Sequence, residues 1–462
     1  MAREIRGAGV NFDSALDAID GIDGAGLDLG ERPPVWPDFP LDEYRRRYAR
    51  LAALMEREGL DVLVLTQEEP VRYLSGYNSV IWAVGRWLPT VFIAPIDPRR
   101  AVLLASGFDA GCAAGTSWAG TVDTYQNAAE LPAKVAGHLA AIGAGPGRVG
   151  FELGHGTVMA LAKEFADQVT TFGGEAAAQA GGGAKPADAS RLISALRMLK
   201  SPAEIERIRR SVRAATAGYR AGLRAARAGM TEKELVAIIG AAMYANGATA
   251  GTKPLFVNCV SGRTRYPLVD SPASDNVLAD GDIVFVDGGG ASDGYVSDIL
   301  RLIGVGDIRP EDHRYAEVAA GATEAMIAAV RPGVRVSQLL RSAVAYVADA
   351  GLTEQVGAVA RHGIGLELWE RPLITEHDDP ADDVAVRAGM VLCLEPIMAP
   401  SHPDGGLAGI FVFEQQVLVT DDGCEVLSAD LPARLHEAGP RREAGGAGGS
   451  GGTTPSAEAG AP

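Results

Sequence analysis

Four acidic residues in the second half of the chain lie in strongly apolar runs or directly after them. They are Asp287, Asp298, Glu395 and Glu414. The Ser-Asp-Gly triplet between the first two predicts the turn of a β-hairpin, which would bring Asp287 and Asp298 close together. A carboxylate that is buried without a partner is costly, and two neighbouring carboxylates repel each other. A cation beside these carboxylates would resolve the repulsion.

His362 adds an imidazole to this set, because it precedes a Gly-x-Gly turn and has apolar residues around it. On their own, Asp287 and Asp298 also fit solvated turn residues, and an isolated histidine fits a hydrogen-bonded structural residue. Glu395 and Glu414 each also fit a salt-bridged or surface position. Taken together, one neutral imidazole and four carboxylates on apolar segments suit a pair of divalent ions such as Mn²⁺, Co²⁺, Fe²⁺ or Zn²⁺.

The first half of the chain alternates helix-like and strand-like segments. Apolar and charged residues recur at helical spacing over 41–58, and Gly59 marks the end of that helix. Apolar runs predict strands at 61–65, 90–94, 101–105 and 149–151. This alternation predicts an α/β domain, placed over residues 41–190. Residues 1–40 have weak periodicity and end in a proline-rich stretch, so we predict an irregular arm.

A second domain is predicted over residues 191–438. Ser201, Pro202 and Glu204 form a capping-box signal, which marks the start of a helix near the domain boundary. The segments that follow mix predicted helices at 232–246, 313–330 and 336–350 with predicted strands at 283–287, 391–395 and 410–419. The tail at 439–462 is rich in Gly, Ala, Ser and Thr without an apolar face, which predicts disorder.

Charge and hydrophobicity exclude several classes of protein. The chain has 42 basic and 59 acidic residues, a net charge of −17, whereas nucleic-acid-binding surfaces are normally basic. No uncharged apolar stretch of about 20 residues is present to span a membrane, and residues 1–24 lack the apolar core of a secretory signal. The cysteines lack CxxC spacing, and Cys259 and Cys393 fit small buried hydrophobes. We therefore predict a reduced, cytoplasmic protein.

Several segments resemble the pita-bread metallohydrolases, a family that includes aminopeptidase P, prolidase, methionine aminopeptidase and the metal-free creatinase. The segments are VDGGGASDGYVSDILR at 286–301, HGIGL at 362–366, LEP at 394–396 and FEQQVLVT at 413–420. The resemblance implies a dinuclear site with the ligands Asp287, Asp298, His362, Glu395 and Glu414.

Two further segments extend the resemblance towards the N-terminus. RMLKSPAEI at 197–205 is similar to the start of the family's catalytic domain, and VRYLSGY at 71–77 is similar to the creatinase-type N-terminal domain. The fold implied is an α/β creatinase-like N-terminal domain followed by an α+β pita-bread catalytic domain.

The resemblance also implies a reaction, a cofactor and an assembly. Two divalent ions, with manganese the first expectation and cobalt, iron or zinc the others, would activate water and polarise the scissile carbonyl. Glu395 would carry the proton from that water to the leaving nitrogen, and His362 would share in catalysis. The implied assembly is a homodimer that acts on a small molecule or a short peptide.

The positions that contact substrate depart from the family pattern. Trp369 stands where family peptidases carry a histidine, Val412 stands where an arginine is common, and the segment 261–270 lacks a second histidine. A tryptophan suits a cationic or apolar group, and an arginine suits a carboxylate. The candidates for substrate binding, with ordinary loop or packing roles as the alternative, are Trp369, Arg263, Arg265, Tyr266, Glu370, Arg371, Val412 and His402.

These departures favour a small or modified amide over a proline peptide as substrate. The principal hypothesis is a dinuclear metal-dependent hydrolase of a C–N bond, similar to the Xaa-Pro peptidases. One alternative is a metal-dependent lyase that acts on a small carboxylate, as a family relative does on dimethylsulfoniopropionate. A second alternative is a non-catalytic binding protein on the same fold, against which the presence of all five ligands argues.

Overall fold

The structure is a computed structural model. It describes residues 10–30, 32–84, 88–144, 148–154, 163–172, 186–249, 255–352, 360–374, 382–402 and 405–438, and the structural statements below concern these residues. The predicted disordered tail at 439–462 lies outside them. Within the described residues, no helix combines the length and the apolar character that crossing a membrane requires.

A mixed six-stranded sheet organises the first half of the chain, in the order β4-β3-β2-β1-β5-β6. Its strands are β1 (Val62–Leu65), β2 (Val91–Pro95), β3 (Val102–Ser106), β4 (Thr121–Tyr125), β5 (Val149–Phe151) and β6 (Ala187–Asp188). β2 runs antiparallel to both β1 and β3, and the other neighbours are parallel. Every residue of β1, β2, β3 and β5 is buried, which explains their unbroken apolar runs.

The helices of this half follow the predicted alternation with the strands. They are α1 (Phe12–Ile19), α2 (Leu41–Glu58), α3 (Glu68–Ser75), α4 (Ile81–Val84), α5 (Ala110–Thr116), α6 (Leu131–Ile142) and α7 (Lys163–Phe172). Gly59 ends α2 in the left-handed conformation with φ of 69°, as the sequence predicts. The predicted strands and the predicted helix of this half are confirmed.

The prediction of an irregular arm over residues 1–40 is wrong for α1. The side chain of Asn11 accepts a hydrogen bond from the Ser14 amide at 3.0 Å and caps the helix. Phe12 and Leu16 lie on its buried face, and the guanidinium carbon of Arg191 lies 4.0 Å from the centre of the Phe12 ring. The apolar residues of this short helix are too few to predict it from sequence beside a proline-rich segment. Packing against other parts of the chain, including Arg191, stabilises the helix in the structure.

Phe12→Ala is therefore expected to lower the free energy of unfolding by about 3–5 kcal/mol, because it removes a fully buried aromatic side chain. The measurement is urea denaturation of the full chain. Phe108→Ala is the matched control, since that side chain is 84% exposed and its loss should change stability by less than about 0.5 kcal/mol. Equal effects of the two substitutions would contradict the packing of α1.

The second half contains five helices among the described residues and three sheets. The helices are α8 (Ser190–Met198), α9 (Pro202–Ala225), α10 (Glu232–Ala245), α11 (Pro310–Ala329) and α12 (Val336–Asp349). The strands are β7 (Phe256–Ser261), β8 (Ile283–Gly289), β9 (Ala291–Ser292), β10 (Tyr295–Val296), β11 (Ile299–Val305), β12 (Ala360–Gly363), β13 (Glu370–Ile374), β14 (Val391–Glu395), β15 (Gln415–Val419), β16 (Cys424–Val426) and β17 (His436–Ala438).

These strands form a four-stranded sheet in the order β17-β11-β8-β7, a five-stranded sheet in the order β13-β12-β14-β15-β16, and the β9-β10 ribbon. The predicted capping box at the start of α9 is confirmed, with the Ser201 side chain accepting from the Glu204 amide at 3.1 Å. The predicted hairpin is confirmed as well: Asp293 and Gly294 have φ of 49° and 84° at the turn between β9 and β10, as a tight primed turn requires.

The predicted strand at 410–419 is wrong in its first half. Only Gln415–Val419 belongs to β15, and Phe411 instead forms an isolated bridge with Met398. The Glu414 amide donates to the Leu300 carbonyl of β11 at 3.3 Å. Glu414 therefore lies where the five-stranded sheet meets the four-stranded sheet, and this junction brings the late glutamates to the hairpin.

Candidate metal centre

Pairing between neighbouring strands aligns the candidate side chains. His362 on β12 stands opposite Cys393 on β14, and Cys393 stands opposite Gln416 on β15. Asp287 lies on β8 opposite Leu300 of β11. Because residues directly opposite each other share a face of the sheet, His362, Cys393 and Gln416 form one row.

The structure brings the five predicted ligands together. His362 Nε2 lies 3.8 Å from Asp298 Oδ2, 3.5 Å from Glu395 Oε1 and 3.8 Å from Glu414 Oε1. Potential ligand atoms of Asp287, Asp298 and Glu414 lie within 4.8 Å of one another. One imidazole and four carboxylates from two sheets therefore converge on a single volume.

The imidazole of His362 is oriented for binding. Its Nδ1 lies 3.0 Å from the Gly363 carbonyl. An Nδ1–H that donates to this carbonyl leaves Nε2 as the electron-pair donor that faces the carboxylates, which is the usual arrangement for a metal-binding histidine.

Several polar atoms of this cluster are buried without a hydrogen-bond partner. They are Asp298 Oδ1, His362 Nε2 and both carboxylate oxygens of Glu414. Among the described residues, His362 is the only basic side chain that forms ion pairs with Asp298, Glu395 or Glu414. Buried polar atoms without a hydrogen-bond partner are rare in proteins. Carboxylate oxygens and an imidazole nitrogen are suitable ligands for divalent cations.

The electrostatics of the cluster favour the same cations. Burial, followed by the charge of Glu395, raises the pKa of Asp287 well above its ordinary value. Burial and the neighbouring carboxylates raise the pKa values of Asp298 and Glu414 in the same direction. Burial opposes the charged form of His362, but the proximity of Glu395 and Asp298 outweighs it and raises the imidazole pKa. Divalent ions would relieve the repulsion that causes these shifts.

Trp369 lies beside the cluster and is not part of the core. Its ring centre is 5.8 Å from that of His362, with the planes tilted by 42°, and 51% of the residue is exposed. Sequence reasoning left open whether this tryptophan fills the core. The exposed fraction decides against core filling and leaves its ring available to a molecule that reaches the cluster.

Glu370 has a structural role, in contrast to the substrate contact that the sequence suggests. Its carboxylate lies 2.5 Å from Arg197 Nη2 and 3.1 Å from Lys200 Nζ, and it accepts the Glu367 amide at 3.1 Å. Burial opposes its ionisation, but Arg197 and Lys200 lower the pKa of Glu370 to about 2. The buried ion pairs therefore anchor the segment that carries Trp369 to the end of α8. The neighbouring Arg371 is likewise engaged, 2.6 Å from Asp382.

Three further candidates for substrate binding are buried or paired with other parts of the chain. Tyr266 is buried and its hydroxyl lies 2.8 Å from the Ile283 carbonyl, and Arg265 pairs with the buried Glu232 at 3.0 Å. Val412 is fully buried. The structure therefore assigns these three to packing and buried pairing.

Arg263 and His402 lie on two loops that touch each other. Arg263 Nη2 donates to the Gly405 carbonyl at 3.0 Å, and the His402 amide donates to the Gly406 carbonyl at 2.9 Å.

Sequence reasoning missed three residues that shape the cluster. Gln416 accepts the Asp298 amide through Oε1 at 3.2 Å, and the Tyr219 hydroxyl on α9 reaches the Gly288 carbonyl at 3.1 Å. Cys393 lies within the cluster, where burial and the nearby carboxylates raise the pKa of its thiol well above the ordinary value. Strand alternation with Glu395 was the signal that could have identified Cys393.

Both halves of the chain match models of known protein families. Residues 47–199 match the creatinase/prolidase N-terminal domain, and residues 206–421 match metallopeptidase family M24. The chain is 30% identical over 238 residues to a Xaa-Pro dipeptidase of Pyrococcus furiosus, a match that covers 51% of this chain and 65% of that relative. The matched segment thus spans slightly under two thirds of that relative's length.

Two solved structures share the fold over most of the chain. Dipeptidase PepE from Mycobacterium ulcerans superposes with a TM-score of 0.71 at 26% identity, covering 87% of this chain and 100% of that one. A Xaa-Pro dipeptidase from Bacillus anthracis superposes with a TM-score of 0.70 at 22% identity, covering 86% of this chain and 100% of that one. At 22% identity, the second likeness establishes the fold alone.

Proposed function

The chain belongs to metallopeptidase family M24 and carries a creatinase/prolidase N-terminal domain, and on that premise we propose that it hydrolyses the C–N bond of a small or modified amide. Membership confirms the predicted family and the predicted order of an α/β creatinase-like domain followed by a pita-bread catalytic domain. The observation that carries the proposal is the convergence of the five donor side chains beside a half-exposed tryptophan.

The metal-binding role rests on the donor set. We propose that Asp287, Asp298, His362, Glu395 and Glu414 hold two divalent ions, with manganese the first expectation from the family resemblance. Such ions lower the pKa of water towards neutrality and polarise a carbonyl oxygen. The chain's own contribution is to present unpartnered oxygens in a buried volume, with His362 held by the Gly363 carbonyl.

Glu395 is proposed as the group that moves the proton. Its side chain is 12% exposed, whereas those of Asp298, His362 and Glu414 are 6%, 1% and 1% exposed. Glu395 is therefore more accessible to a substrate than these three, and since Asp287 is also partly exposed, the family resemblance is what selects Glu395 between the two. A carboxylate at that position can take a proton from water and deliver it to the leaving nitrogen.

The proposed substrate class is argued from Trp369, which lies beside the cluster, and from two candidates on the loops that carry Arg263 and His402. Trp369 offers a flat apolar face, which suits an apolar or cationic group. Of the two arginines considered for a carboxylate clamp, Arg265 is committed to Glu232, so the proposed clamp is Arg263. His402 on the adjoining loop is a further proposed contact. These groups suit a small amide acid better than a peptide held along its backbone.

The proposal is tested by a screen of the metal-loaded full chain. Xaa-Pro dipeptides, N-acyl amino acids, ectoine and dimethylsulfoniopropionate are offered in water enriched in ¹⁸O. Faster cleavage of a small amide, with ¹⁸O in the product acid, supports the proposal. Fast cleavage of Ala-Pro would instead show that the chain is a proline peptidase. An alkene product without ¹⁸O would show that it is a lyase.

Trp369→His is expected to shift the substrate preference towards Xaa-Pro dipeptides while changing stability by less than about 0.5 kcal/mol, the usual range for a surface substitution. The measurements are kcat/KM for both substrate classes and urea denaturation. Trp36→His is the matched control, because Trp36 is 77% exposed and lies in the N-terminal half. An unchanged ratio of the two kcat/KM values would show that Trp369 does not contact the substrate.

The homodimer implied by the resemblance is part of this proposal and is checked by sedimentation equilibrium of the full chain. The cytoplasmic location stays a prediction.

A further inference from the structure

Cys393 shares a face of the five-stranded sheet with two of the proposed metal ligands. It stands opposite His362 in the pairing of β12 with β14. On its own strand it lies two residues before Glu395, so alternation places both side chains on one face. Cys393 is fully buried and forms no disulfide.

The thiol belongs to a second group of donors besides the acidic group. Sγ of Cys393, a ring nitrogen of His362 and a carboxylate oxygen of Glu414 all lie within 4.8 Å of one another. The acidic group consists of Asp287, Asp298 and Glu414, so the two groups share Glu414. His362 Nε2 is buried without a hydrogen-bond partner, which marks this volume as a place for a ligand independently of the cysteine.

The separations suit coordination by sulfur. With Zn–S of about 2.3 Å and Zn–N of about 2.0–2.1 Å, one tetrahedral ion spans a sulfur and a nitrogen about 3.6 Å apart, and about 4.4 Å is the limit for a linear arrangement. Sγ of Cys393 and the ring nitrogen of His362 lie no further apart than 4.8 Å, so small rotations of the two side chains bring them within the span of one ion.

The other cysteines of the chain differ from Cys393. The thiols of Cys112 and Cys424 lie 3.1 Å and 3.7 Å from the backbone carbonyls of Asn78 and Ile327. Cys259 is buried on β7 opposite Val286. Among the described residues, none of these three belongs to a group that could hold a metal ion.

We propose that Cys393 is a sixth metal ligand, bound through its thiolate to the ion in the His362 half of the centre. As the sulfur–metal bond forms, the thiol proton passes to solvent. A nitrogen, sulfur and oxygen donor set favours thiophilic ions, whereas a set of carboxylates alone suits manganese. The inference rests on the proposed metal centre. For the metal site that contains His362, it changes the expected ion from manganese to zinc or cobalt.

The test is a titration of the metal-free full chain with Co²⁺, followed by absorption spectroscopy and elemental analysis. Visible d–d bands report that cobalt is bound, and a near-ultraviolet thiolate-to-cobalt band reports that sulfur is a ligand. The wild type is expected to show both. Cys393→Ser and Cys393→Ala are expected to lose the near-ultraviolet band and keep the d–d bands, and the matched control Cys259→Ala is expected to keep both.

A competition between Zn²⁺ and Mn²⁺ gives a second measurement. Loss of the thiol is expected to lower the preference for zinc by at least about tenfold, the lower end of what altered metal environments cost. Bound cobalt without a near-ultraviolet band in the wild type overturns the inference and leaves the proposed function standing. The wild-type spectrum settles this even where a Cys393 variant fails to fold. A wild type that binds no cobalt overturns the proposed metal centre as well.

Discussion

Glu395→Gln is expected to lower kcat by about 10²–10⁴-fold, the usual contribution of a positioned acid–base group. The glutamine keeps the shape of the side chain and one carbonyl oxygen but cannot accept and return a proton. The measurement is kcat of the metal-loaded chain on the amide that the screen identifies, together with metal content from elemental analysis of the same sample.

The paired metal analysis separates the two roles of Glu395. A slow variant that keeps its metal supports the proton-transfer role. A slow variant that has lost metal shows that Glu395 acts mainly as a ligand, which contradicts this prediction. Glu206→Gln is the matched control, because that glutamate is exposed and pairs only with the exposed Arg213 among the described ion pairs. Its kcat should equal that of the wild type.

Metal removal is expected to destabilise the chain substantially. A ligand that binds only the folded state at 1,000 times its dissociation constant stabilises that state by about 4 kcal/mol. The mutual repulsion of Asp287, Asp298 and Glu414, which returns when the ions leave, is part of this free energy, so the loss is expected to be of about this size. Thermal denaturation with and without a chelator measures it.

The same experiment has a predicted pH dependence. Without metal, the pKa values of Asp287, Asp298 and Glu414 in the folded chain lie above their ordinary values. The folded state then holds protons more tightly than the unfolded state, so stability is fully present below the ordinary carboxyl values and is lost as pH rises through the raised values. The raised pKa of His362 acts in the same direction.

Metal binding reverses this trend, because the ligands bind in their deprotonated forms and affinity increases with pH. The difference in Tm between loaded and metal-free protein should therefore widen from about pH 5 to about pH 8. Glu370 does not obscure the effect: its pKa falls to about 2, so its contribution is lost only under more acidic conditions. A metal-free Tm that rises with pH would contradict the clustering of the carboxylates.

The acidic cluster could be predicted from sequence because few folds accommodate carboxylates in buried strands. Asp287 and Asp298 are joined by a turn whose residues specify a tight hairpin, and local turn chemistry brought them together as expected. The capping box of Ser201 and Glu204 is local in the same sense. The resemblance supplied the order of the remaining ligands.

Contacts between distant parts of the chain were beyond the reach of the sequence. Glu370 appeared to be a substrate-binding residue next to Trp369, but it pairs with Arg197, which lies 173 residues away. Arg265 is committed to Glu232 in the same way. Residue type and neighbours along the chain do not reveal which of several acids and bases become partners, because that choice depends on which elements pack together.

The sequence by itself indicated two domains, the hairpin and a set of four acidic residues and one histidine on apolar segments, since apolar periodicity, caps and turns act over a few residues; the family resemblance supplied the pita-bread fold and the proposed ligand roles. Only the tertiary structure decided that α1 is buried, that Glu370, Arg265 and Tyr266 are structural, and that Cys393 stands beside His362. The register between β12 and β14 places Cys393 beside His362. A shift of one residue would turn the thiol to the opposite face of the sheet.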